Sequence, residues 1–171
     1  MPPGPRQLGG ERVGSALEAA LPGSVVESHP EWVVVSPGRL VEALGWLRDS
    51  EEFDAAQLSN LCAVDYHSYF EVIYHLQSLD LNHQIVLKAR TTSREDVAVP
   101  SACSVYRGAL LQEREAYDLM GVRFDGHPDL RRLFLWEGYP GHPLRKDFLQ
   151  VEGHHPGLPR FPFEEPGVQS R

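Results

Sequence analysis

Two segments of the chain carry apolar residues at the spacing of an amphipathic helix, 11–21 and 40–47. The first segment ends at Pro22-Gly23, and the second follows Ser36-Pro37, which supplies an N-cap residue and a first-turn proline. Their apolar positions are Val13, Leu17 and Leu21 in the first segment, and Leu40, Val41, Leu44 and Leu47 in the second. Each pattern therefore predicts a helix with one buried face.

Strand patterns occupy the intervals around these helices. Runs of β-branched residues at 25–27 and 32–35 flank a His-Pro turn, and this arrangement predicts a hairpin. The segment 58–66 is short and apolar, whereas 70–79 and 84–90 alternate between apolar and polar residues. The link between the last two segments is short enough for a second hairpin.

The order α-β-β-α-β-β-β predicts an α+β fold, a two-layer domain with helices on one face of a mostly antiparallel sheet. After Pro100 a third helical stripe contains Leu110, Tyr117 and Met120, and Gly121 stands where a left-handed helix cap is needed. The predicted organisation is a disordered N-terminus at 1–10, an α+β domain with a C-terminal helix at 11–122, an extended docking arm at 123–150 and a flexible tail at 151–171.

The predicted arm contains a near-repeat of one short motif. Residues 126–132 read Gly-His-Pro-Asp-Leu-Arg-Arg, and residues 141–146 read Gly-His-Pro-Leu-Arg-Lys. In each copy the glycine permits a bend, and the proline fixes its own φ and restricts the histidine before it. The motif thus presents a leucine and a basic pair at a set angle. Two copies among interspersed charged and aromatic residues predict two contacts with one protein partner.

The distribution of charge along the chain indicates which kinds of partner it can bind. The formal net charge is −8, which disfavours nucleic acid because phosphate binding depends on lysine and arginine. Positive charge is nevertheless concentrated in the two motifs, at Arg131, Arg132, Arg145 and Lys146. The chain has no run of eighteen apolar residues and no secretory pattern at its beginning, so neither a membrane span nor export is predicted.

The sequence offers little for catalysis. Its histidines lack metal-ligand spacing, and two distant cysteines, Cys62 and Cys103, cannot supply the thiolates of an iron–sulfur cluster. Both cysteines are expected to be buried, reduced thiols. Neither a glycine-rich nucleotide loop nor a nucleophile elbow is present. No catalytic, cofactor-binding or metal-binding residue is therefore predicted, although a metal-dependent hydrolase remains a distant alternative.

Three carboxylates lie close together in the sequence of the third predicted helix, as an acid–base site would require. Glu113, Glu115 and Asp118 do not converge on one point of a helix, and Asp118 can pair with Arg114 at i, i+4. We therefore expect these charges to fix the end of the helix against the following arm or against a partner arginine.

The ordered series of motifs resembles one protein family. Glu113-Arg114-Glu115-x-x-Asp118-Leu119-Met120-Gly121 is followed by the two Gly-His-Pro motifs and then by Asp147-Phe148. This series is similar to the thirty-kilodalton subunit of respiratory complex I, which is the C subunit of bacterial NADH:quinone oxidoreductases. A weaker likeness covers residues 61–66, which resemble a strand of the family.

The resemblance implies the same α+β architecture and a cofactor-free structural subunit in the peripheral arm of a proton-translocating NADH:quinone oxidoreductase. It further implies docking beside the large quinone-site subunit (the D type, of forty-nine kilodaltons) and neighbouring iron–sulfur subunits, on the cytoplasmic side of the bacterial inner membrane. FMN, iron–sulfur clusters, NADH and quinone are then expected in the partner subunits and not in this chain. The alternative is the equivalent subunit of a related membrane-bound hydrogenase or another quinone-reducing complex.

The residues that the resemblance implies for partner binding all lie between 113 and 147. They are Glu113, Arg114, Glu115, Asp118, His127, Pro128, Asp129, Leu130, Arg131, Arg132, Gly141, His142, Pro143, Leu144, Arg145, Lys146 and Asp147.

Overall fold

The structure is a computed structural model that describes residues 4–66, 68–95 and 97–148. Its main sheet has six strands, and two short strands form a separate parallel pair. The strands are β1 (Arg6–Gln7), β2 (Val25–Ser28), β3 (Val33–Val35), β4 (Gln57–Asp65), β5 (Phe70–Ser78), β6 (His83–Arg90), β7 (Ala98–Pro100) and β8 (Arg123–Asp125). The helices are α1 (Gly10–Ala20), α2 (Leu40–Asp49) and α3 (Ala109–Met120), with a 3₁₀ turn at Pro37–Arg39.

The predicted α+β class is confirmed. The main sheet runs β2-β3-β6-β5-β4, and both predicted hairpins are present as antiparallel pairs, β2 with β3 and β5 with β6. Strands β4 and β5 are also antiparallel, whereas β3 joins β6 in parallel. Alternation along β6 explains its two faces, because Ile85, Leu87 and Ala89 are buried while the residues between them are partly exposed. These buried residues join apolar side chains of all three helices in one core.

The predicted disorder of residues 1–10 does not hold for the part of this segment that the structure describes. Strand β1 pairs in parallel with the start of β6, and Leu8 is buried in the core. Gly10 begins α1 in close contact with the backbone of Trp32, where a Cβ atom would lie only 2.1 Å from the carbonyl oxygen. Gly10 is therefore required for this close packing, and Leu8 anchors the segment in the core.

The predicted arm is not extended. Its first residues form β8, which pairs with β7, and residues 126–148 run through turns and bends that fold back over α3 and the end of β4. Residues 149 and 150 and the predicted tail 151–171 lie outside the described residues. Within the part of the chain that is described, no helix is both long and apolar enough to cross a membrane.

Candidate partner-binding site

Helix α3 is the element on which the arm is built. The helix ends at Gly121, whose φ of 72° is left-handed, as the sequence predicted. A Cβ atom at this position would lie 2.5 Å from the Arg145 guanidinium and 2.6 Å from the His142 ring. Glycine is therefore required here both for the backbone turn and for the close approach of the arm.

Asp118 holds the first half of the arm. Its side chain is fully buried, and its Oδ2 accepts the backbone N–H groups of Leu133, Phe134 and Leu135 at 3.0, 2.7 and 2.9 Å. Its Oδ1 accepts a hydrogen bond from Arg132 Nη1 at 3.0 Å. Burial acts to raise the pKa of Asp118, but these donors outweigh it and the pKa lies below its ordinary value. A charged carboxylate thus fastens the arm across the helix.

The first Gly-His-Pro motif is tied to the side of α3 through its histidine. His127 Nε2–H donates to the Leu110 carbonyl oxygen at 3.0 Å, and His127 Nδ1 accepts the Asp129 N–H at 2.9 Å. This pattern fixes the neutral tautomer of the ring. Arg114 donates to the carbonyl oxygen of Arg131 at 3.1 Å and to that of the next residue at 3.0 Å. The expected pairing of Arg114 with Asp118 is therefore wrong, since the arm engages both side chains.

The second motif caps the C-terminal end of α3. His142 Nδ1–H donates to the Asp118 carbonyl oxygen at 2.9 Å, and Arg145 Nε donates to the Met120 carbonyl oxygen at 2.7 Å. Arg145 also lies over the Phe70 ring, 5.2 Å from its centroid. The helix would otherwise leave its last carbonyl groups without intrahelical donors, so a cation here stabilises the helix end. Burial lowers the pKa of His142, and the neighbouring Arg145 adds to that effect.

Asp65 at the end of β4 ties down the last part of the arm. Its Oδ2 accepts the Lys146 N–H at 2.9 Å, and both of its oxygens bind Arg94. Arg94 also pairs with Asp147 at 3.0 Å. Burial acts to raise the pKa of Asp65, but Arg94 and the Lys146 amide outweigh it and the pKa is lowered. Asp65 and Arg94 were not among the predicted site residues, because nothing local in the sequence links them to position 146.

Glu113 points to the opposite side of α3. It is fully buried, and it accepts hydrogen bonds from Ser101 Oγ and the Ala102 N–H, each at 2.6 Å. Burial raises the pKa of Glu113, and these donors offset only part of that shift. Glu115 is exposed. The three carboxylates therefore do not converge, and Asp118 fixes the helix end to the arm as the sequence predicted.

One group of side chains has the composition of a metal site. Ligand atoms of Cys103, Glu113 and His127 lie within 4.8 Å of one another. Each of them already takes part in hydrogen bonds, since Cys103 Sγ donates to Glu113 at 3.5 Å and both nitrogens of His127 are engaged. Metal binding through His127 Nε2 would place the ring proton on Nδ1, and this Nδ1–H would then face the Asp129 N–H that Nδ1 now accepts. This donor set is therefore better matched to its own hydrogen bonds than to a cation. Both cysteines of the chain are free and only partly buried.

The predicted partner-binding residues divide into two groups. Those that are buried or partly buried against the domain are Glu113, Arg114, Asp118, His127, Leu130, Arg132, His142, Pro143 and Arg145. Those that are exposed are Glu115, Pro128, Asp129, Arg131, Gly141, Leu144, Lys146 and Asp147. That these residues bind a partner stays a prediction for both groups. In the first group Arg114, Asp118, His127, Arg132, His142 and Arg145 also bond the arm to its own domain.

The arm also exposes aromatic residues that were not among the predicted site residues. Phe134 is 63% exposed and Trp136 is 52% exposed, and Leu144 of the second motif is 58% exposed. Trp136 packs edge-on against Tyr139, with ring centroids 4.7 Å apart. The signal was the aromatic residues of the segment 134–139, which lie between charged, glycine and proline residues. We call this set, together with Arg131 and Lys146, the outer arm surface.

A small groove lies beside this surface, with a volume of about 90 Å³. Its walls are Leu61–Ala63 of β4 and the face of α3 that carries Glu115, Ala116, Leu119 and Met120. Leu144 stands at its rim, and its backbone N–H donates to the Leu119 carbonyl oxygen at 3.0 Å.

Known proteins of similar sequence and structure place the chain in a family. The sequence profile described as "Respiratory-chain NADH dehydrogenase, 30 Kd subunit" matches residues 33–154. The NADH-quinone oxidoreductase C subunit of Xanthobacter autotrophicus is 45% identical over 139 residues, which cover 80% of this chain and 66% of the relative. The C subunit of Phenylobacterium zucineum is 50% identical over 113 residues, covering 64% of this chain and 52% of the relative. The chain thus spans just under two thirds of the former relative and about half of the latter.

Solved structures give the same fold. A trypsin-resistant fragment of Nqo5 aligns with a TM-score of 0.55 and 27% identity, covering 70% of this chain and 98% of the fragment. A chain of the membrane-bound sulfane sulfur reductase, an archaeal respiratory membrane complex, aligns with a TM-score of 0.67 and 21% identity, covering 83% of this chain and 86% of that one. The second likeness concerns the fold alone. By its motifs, its fold and the extent of the sequence match, this chain belongs to the family of the 30 Kd subunit of the respiratory-chain NADH dehydrogenase.

Proposed function

We propose that this protein is a structural subunit of a proton-translocating NADH:quinone oxidoreductase and that it docks to neighbouring subunits through the outer arm surface. Membership of the family and 40–50% identity to proteins named as the C subunit of NADH-quinone oxidoreductase support the assignment to such a complex. The electron-carrying groups, FMN and iron–sulfur clusters, belong to partner subunits in this proposal, as do the sites for NADH and quinone.

The observation that carries the docking proposal is the joint exposure of Phe134, Trp136 and Leu144, which lie on the same segment of the arm. Aromatic residues and arginine are enriched in protein–protein interfaces relative to the rest of the surface. These side chains stand on backbone that Asp118 and Arg145 hold in place. A rigid surface loses little conformational freedom on binding, so more of its contact energy contributes to affinity.

The proposed neighbours are the large quinone-site subunit of the D type and adjoining iron–sulfur subunits. Arg131 keeps 67% of its side chain exposed, and Lys146 is also exposed, so the outer arm surface offers cations beside apolar groups. The partner surface is then expected to provide carboxylates around an apolar depression. In this arrangement the chain lies peripherally, on the cytoplasmic side of the bacterial inner membrane.

The alternative is an equivalent subunit in a related membrane-bound hydrogenase or other quinone-reducing complex. The structural likeness to the sulfane sulfur reductase complex is consistent with it, but that likeness is limited to the fold. The higher sequence identity to C subunits of NADH-quinone oxidoreductases favours the NADH-linked complex. Identification of the subunits that co-purify with the tagged chain distinguishes the two assemblies directly.

The docking proposal is tested by replacing both Phe134 and Trp136 with serine in cells that assemble the complex. We expect the purified variant to melt as the wild type does, because both side chains are exposed, while fewer NADH:quinone oxidoreductase subunits co-purify with it. Membrane NADH:quinone activity should fall in parallel. Val26→Ser is the matched control, since Val26 is 62% exposed on β2. Undiminished assembly of the double variant would refute docking through this surface.

The absence of a resident cofactor is tested separately on the purified chain. Because Cys103, Glu113 and His127 already use their ligand atoms in hydrogen bonds, we expect no stoichiometric iron or zinc. No flavin is expected because the sequence lacks a glycine-rich nucleotide loop. Elemental analysis and an absorption spectrum measure this. Stoichiometric metal that is lost in Cys103→Ser would contradict the proposal.

A further inference from the structure

The loop between β5 and β6 lies at the end of the sheet away from the arm, and it exposes two leucines. Leu79 is 68% exposed, the highest value among the large apolar side chains of the described residues, and Leu81 is 46% exposed. Hairpin loops ordinarily carry Gly, Asn, Asp, Pro or Ser, each for a conformational reason. Only Asp80 and Asn82 of this loop follow that rule, and Asn82 supplies the left-handed residue with a φ of 47°. The turn itself does not account for the leucines.

The loop is held firmly at its base. Ser78 Oγ accepts the Leu81 N–H at 3.0 Å and donates to Asp54 Oδ2 at 2.7 Å. The N–H of Arg6 in β1 donates to the Asn82 carbonyl oxygen at 3.0 Å. These bonds join the loop to β1 and to the connection between α2 and β4. The leucines are thus displayed on a braced turn, which lowers the conformational cost of binding.

Acidic residues line the concavity beside Leu79. Leu79 and Asp80 border an open concavity of about 390 Å³ whose other walls are Asp54, Ala56 and Gln57. The supporting connection adds Glu51 and Glu52, both exposed, of which Glu52 pairs with Arg12 at 2.7 Å. Arg6 is the cation whose backbone is bonded to the loop. Among the residues that line the concavity, two are acidic and none is basic.

We propose that this hairpin-end surface, formed by Leu79, Asp80, Leu81 and Asp54, is a second protein-docking surface. Its occupant is a segment of a neighbouring protein that places a lysine or arginine in the concavity and apolar side chains against the two leucines. The carboxylates Asp54 and Asp80 match the cation, whose aliphatic stem lies along Leu79. This inference does not depend on which respiratory assembly contains the chain.

The negative charge of the hairpin-end surface favours this occupant over an anionic membrane surface and over a second copy of the chain. An anionic membrane surface is repelled by Asp80 and Glu51. A second copy that docked through the same face would bring like charges together. The segment 149–171 of this chain contains three glutamates and two arginines, so its own charge is not positive, and a cross-link within the same chain would reveal it as the occupant.

The hairpin-end surface and the outer arm surface lie at opposite ends of the same sheet. Strands β4 and β5 each run nine residues between the hairpin end and the arm end, about 30 Å at roughly 3.3 Å per residue. One rigid sheet therefore joins the outer arm surface to the hairpin-end surface. The domain acts as a spacer that fixes the separation of two neighbours.

The experiment places a photo-cross-linking amino acid at position 79 of the full chain, in cells that assemble its native complex. Position 26 on β2, equally exposed and apolar, is the matched control. We expect position 79 to cross-link to a different protein, at a peptide with lysine or arginine within a few residues, and position 26 not to cross-link to that peptide. Cross-links to lipid, to the same chain or to no protein would overturn the proposal.

A charge reversal tests the chemistry of the occupant. Asp80→Lys should reduce the cross-link yield at position 79 severalfold, because Asp80 faces the incoming cation. Glu95→Lys, an exposed acidic position at the other end of the sheet, should leave the yield unchanged. Equal yields from both variants would overturn the charge-matched partner. Thermal melting of each variant verifies that a reduced yield does not come from unfolding.

Discussion

The two Gly-His-Pro motifs have nearly the same sequence but hold the arm in different ways. In the first motif the second basic residue, Arg132, turns inward and binds the Asp118 carboxylate at 3.0 Å. In the second motif the first basic residue, Arg145, turns inward and binds the Met120 carbonyl oxygen at 2.7 Å. The other member of each pair, Arg131 or Lys146, is exposed. Each motif thus contributes one cation to the fold and one to the surface.

The difference follows from what α3 presents to each motif. Along its side the helix offers one buried carboxylate, whereas at its end it offers carbonyl oxygens without intrahelical donors. The two motif glycines also differ in their surroundings. Gly126 and Gly141 both have positive φ, at 87° and 94°, but only at Gly141 would an added Cβ atom meet a neighbour, the Phe148 ring at 3.0 Å. A repeated sequence therefore does not establish equivalent contacts, because the surface it meets is not repeated.

The largest expected effect comes from removing the acceptor that the first motif uses. Asp118→Ala leaves three backbone N–H groups and the Arg132 guanidinium without their carboxylate. Breaking a buried charge pair in this way costs about 3–5 kcal/mol of unfolding free energy. Asp129→Ala is the control in the same motif, because Asp129 is exposed and pairs with Arg131 at the surface. Chemical denaturation measures both, and similar losses would mean that Asp118 does not anchor the arm.

The next effect concerns the glycine at the junction of helix and arm. Gly121→Ala and Gly126→Ala introduce the same strain at positive φ, about 1–2 kcal/mol. A Cβ atom at Gly126 meets nothing within 4 Å, whereas at Gly121 it meets Arg145 and His142. We therefore expect Gly121→Ala to lower the unfolding free energy by about 1.5–3 kcal/mol more, the usual value of hydrogen bonds to a charged donor. Equal melting temperatures of the two variants would show that Arg145 and His142 can move away from the added methyl group without a loss of stability.

The two cations of the second motif, Arg145 and Lys146, should also differ in their effect on the free energy of unfolding. Arg145→Ala removes the bonds to the helix end and should lower the unfolding free energy by about 1.5–3 kcal/mol. The sequence predicted Arg145 as a partner-binding residue of the arm, and the structure adds these contacts with its own domain. Lys146→Ala keeps the backbone N–H that binds Asp65, so its effect should stay within about 0.5 kcal/mol. Urea denaturation of the two variants tests the ordering.

The sequence predicted the three helices, the strands β2 to β6 and the end of α3, because these depend on local patterns. Periodicity identified the helices, and Gly121 identified the left-handed cap. The arm could not be placed in this way. Asp65 and Lys146 are 81 positions apart, and only the completed sheet brings the end of β4 to the arm. Residues 6–7 were missed for the same reason, since their strand exists only through pairing with β6.

Two carboxylates on α3 should respond to pH with opposite signs. The pKa of Glu113 is raised in the folded state. The contribution of Glu113 to the free energy of unfolding is therefore fully present below its ordinary pKa of 4.5 and is lost as pH rises through the pKa of the folded state. The pKa of Asp118 is lowered in the folded state. The contribution of Asp118 to the free energy of unfolding is therefore present above its ordinary pKa of 3.8 and is lost as pH falls through the pKa of the folded state. Melting temperatures measured from acid to neutral pH should show Glu113→Gln flattening the first dependence and Asp118→Asn the second. The same change of slope in both variants would contradict the assignment.

The smallest effect on stability is expected at Arg131, where the consequence should lie in assembly instead. Its guanidinium bonds only to Asp129 among the described residues, and both side chains are more than half exposed. Exposed pairs of this kind contribute about 0–1 kcal/mol, so Arg131→Ala should melt with the wild type. On docking, however, the same cation becomes desolvated against a partner carboxylate, and removing one member of such a pair costs about 2–5 kcal/mol of binding. Co-purification with neighbouring subunits should therefore fall in Arg131→Ala at unchanged thermal stability. An unfolded variant would make Arg131 part of the domain's own packing, and full assembly would leave the outer arm surface without its proposed charge contact.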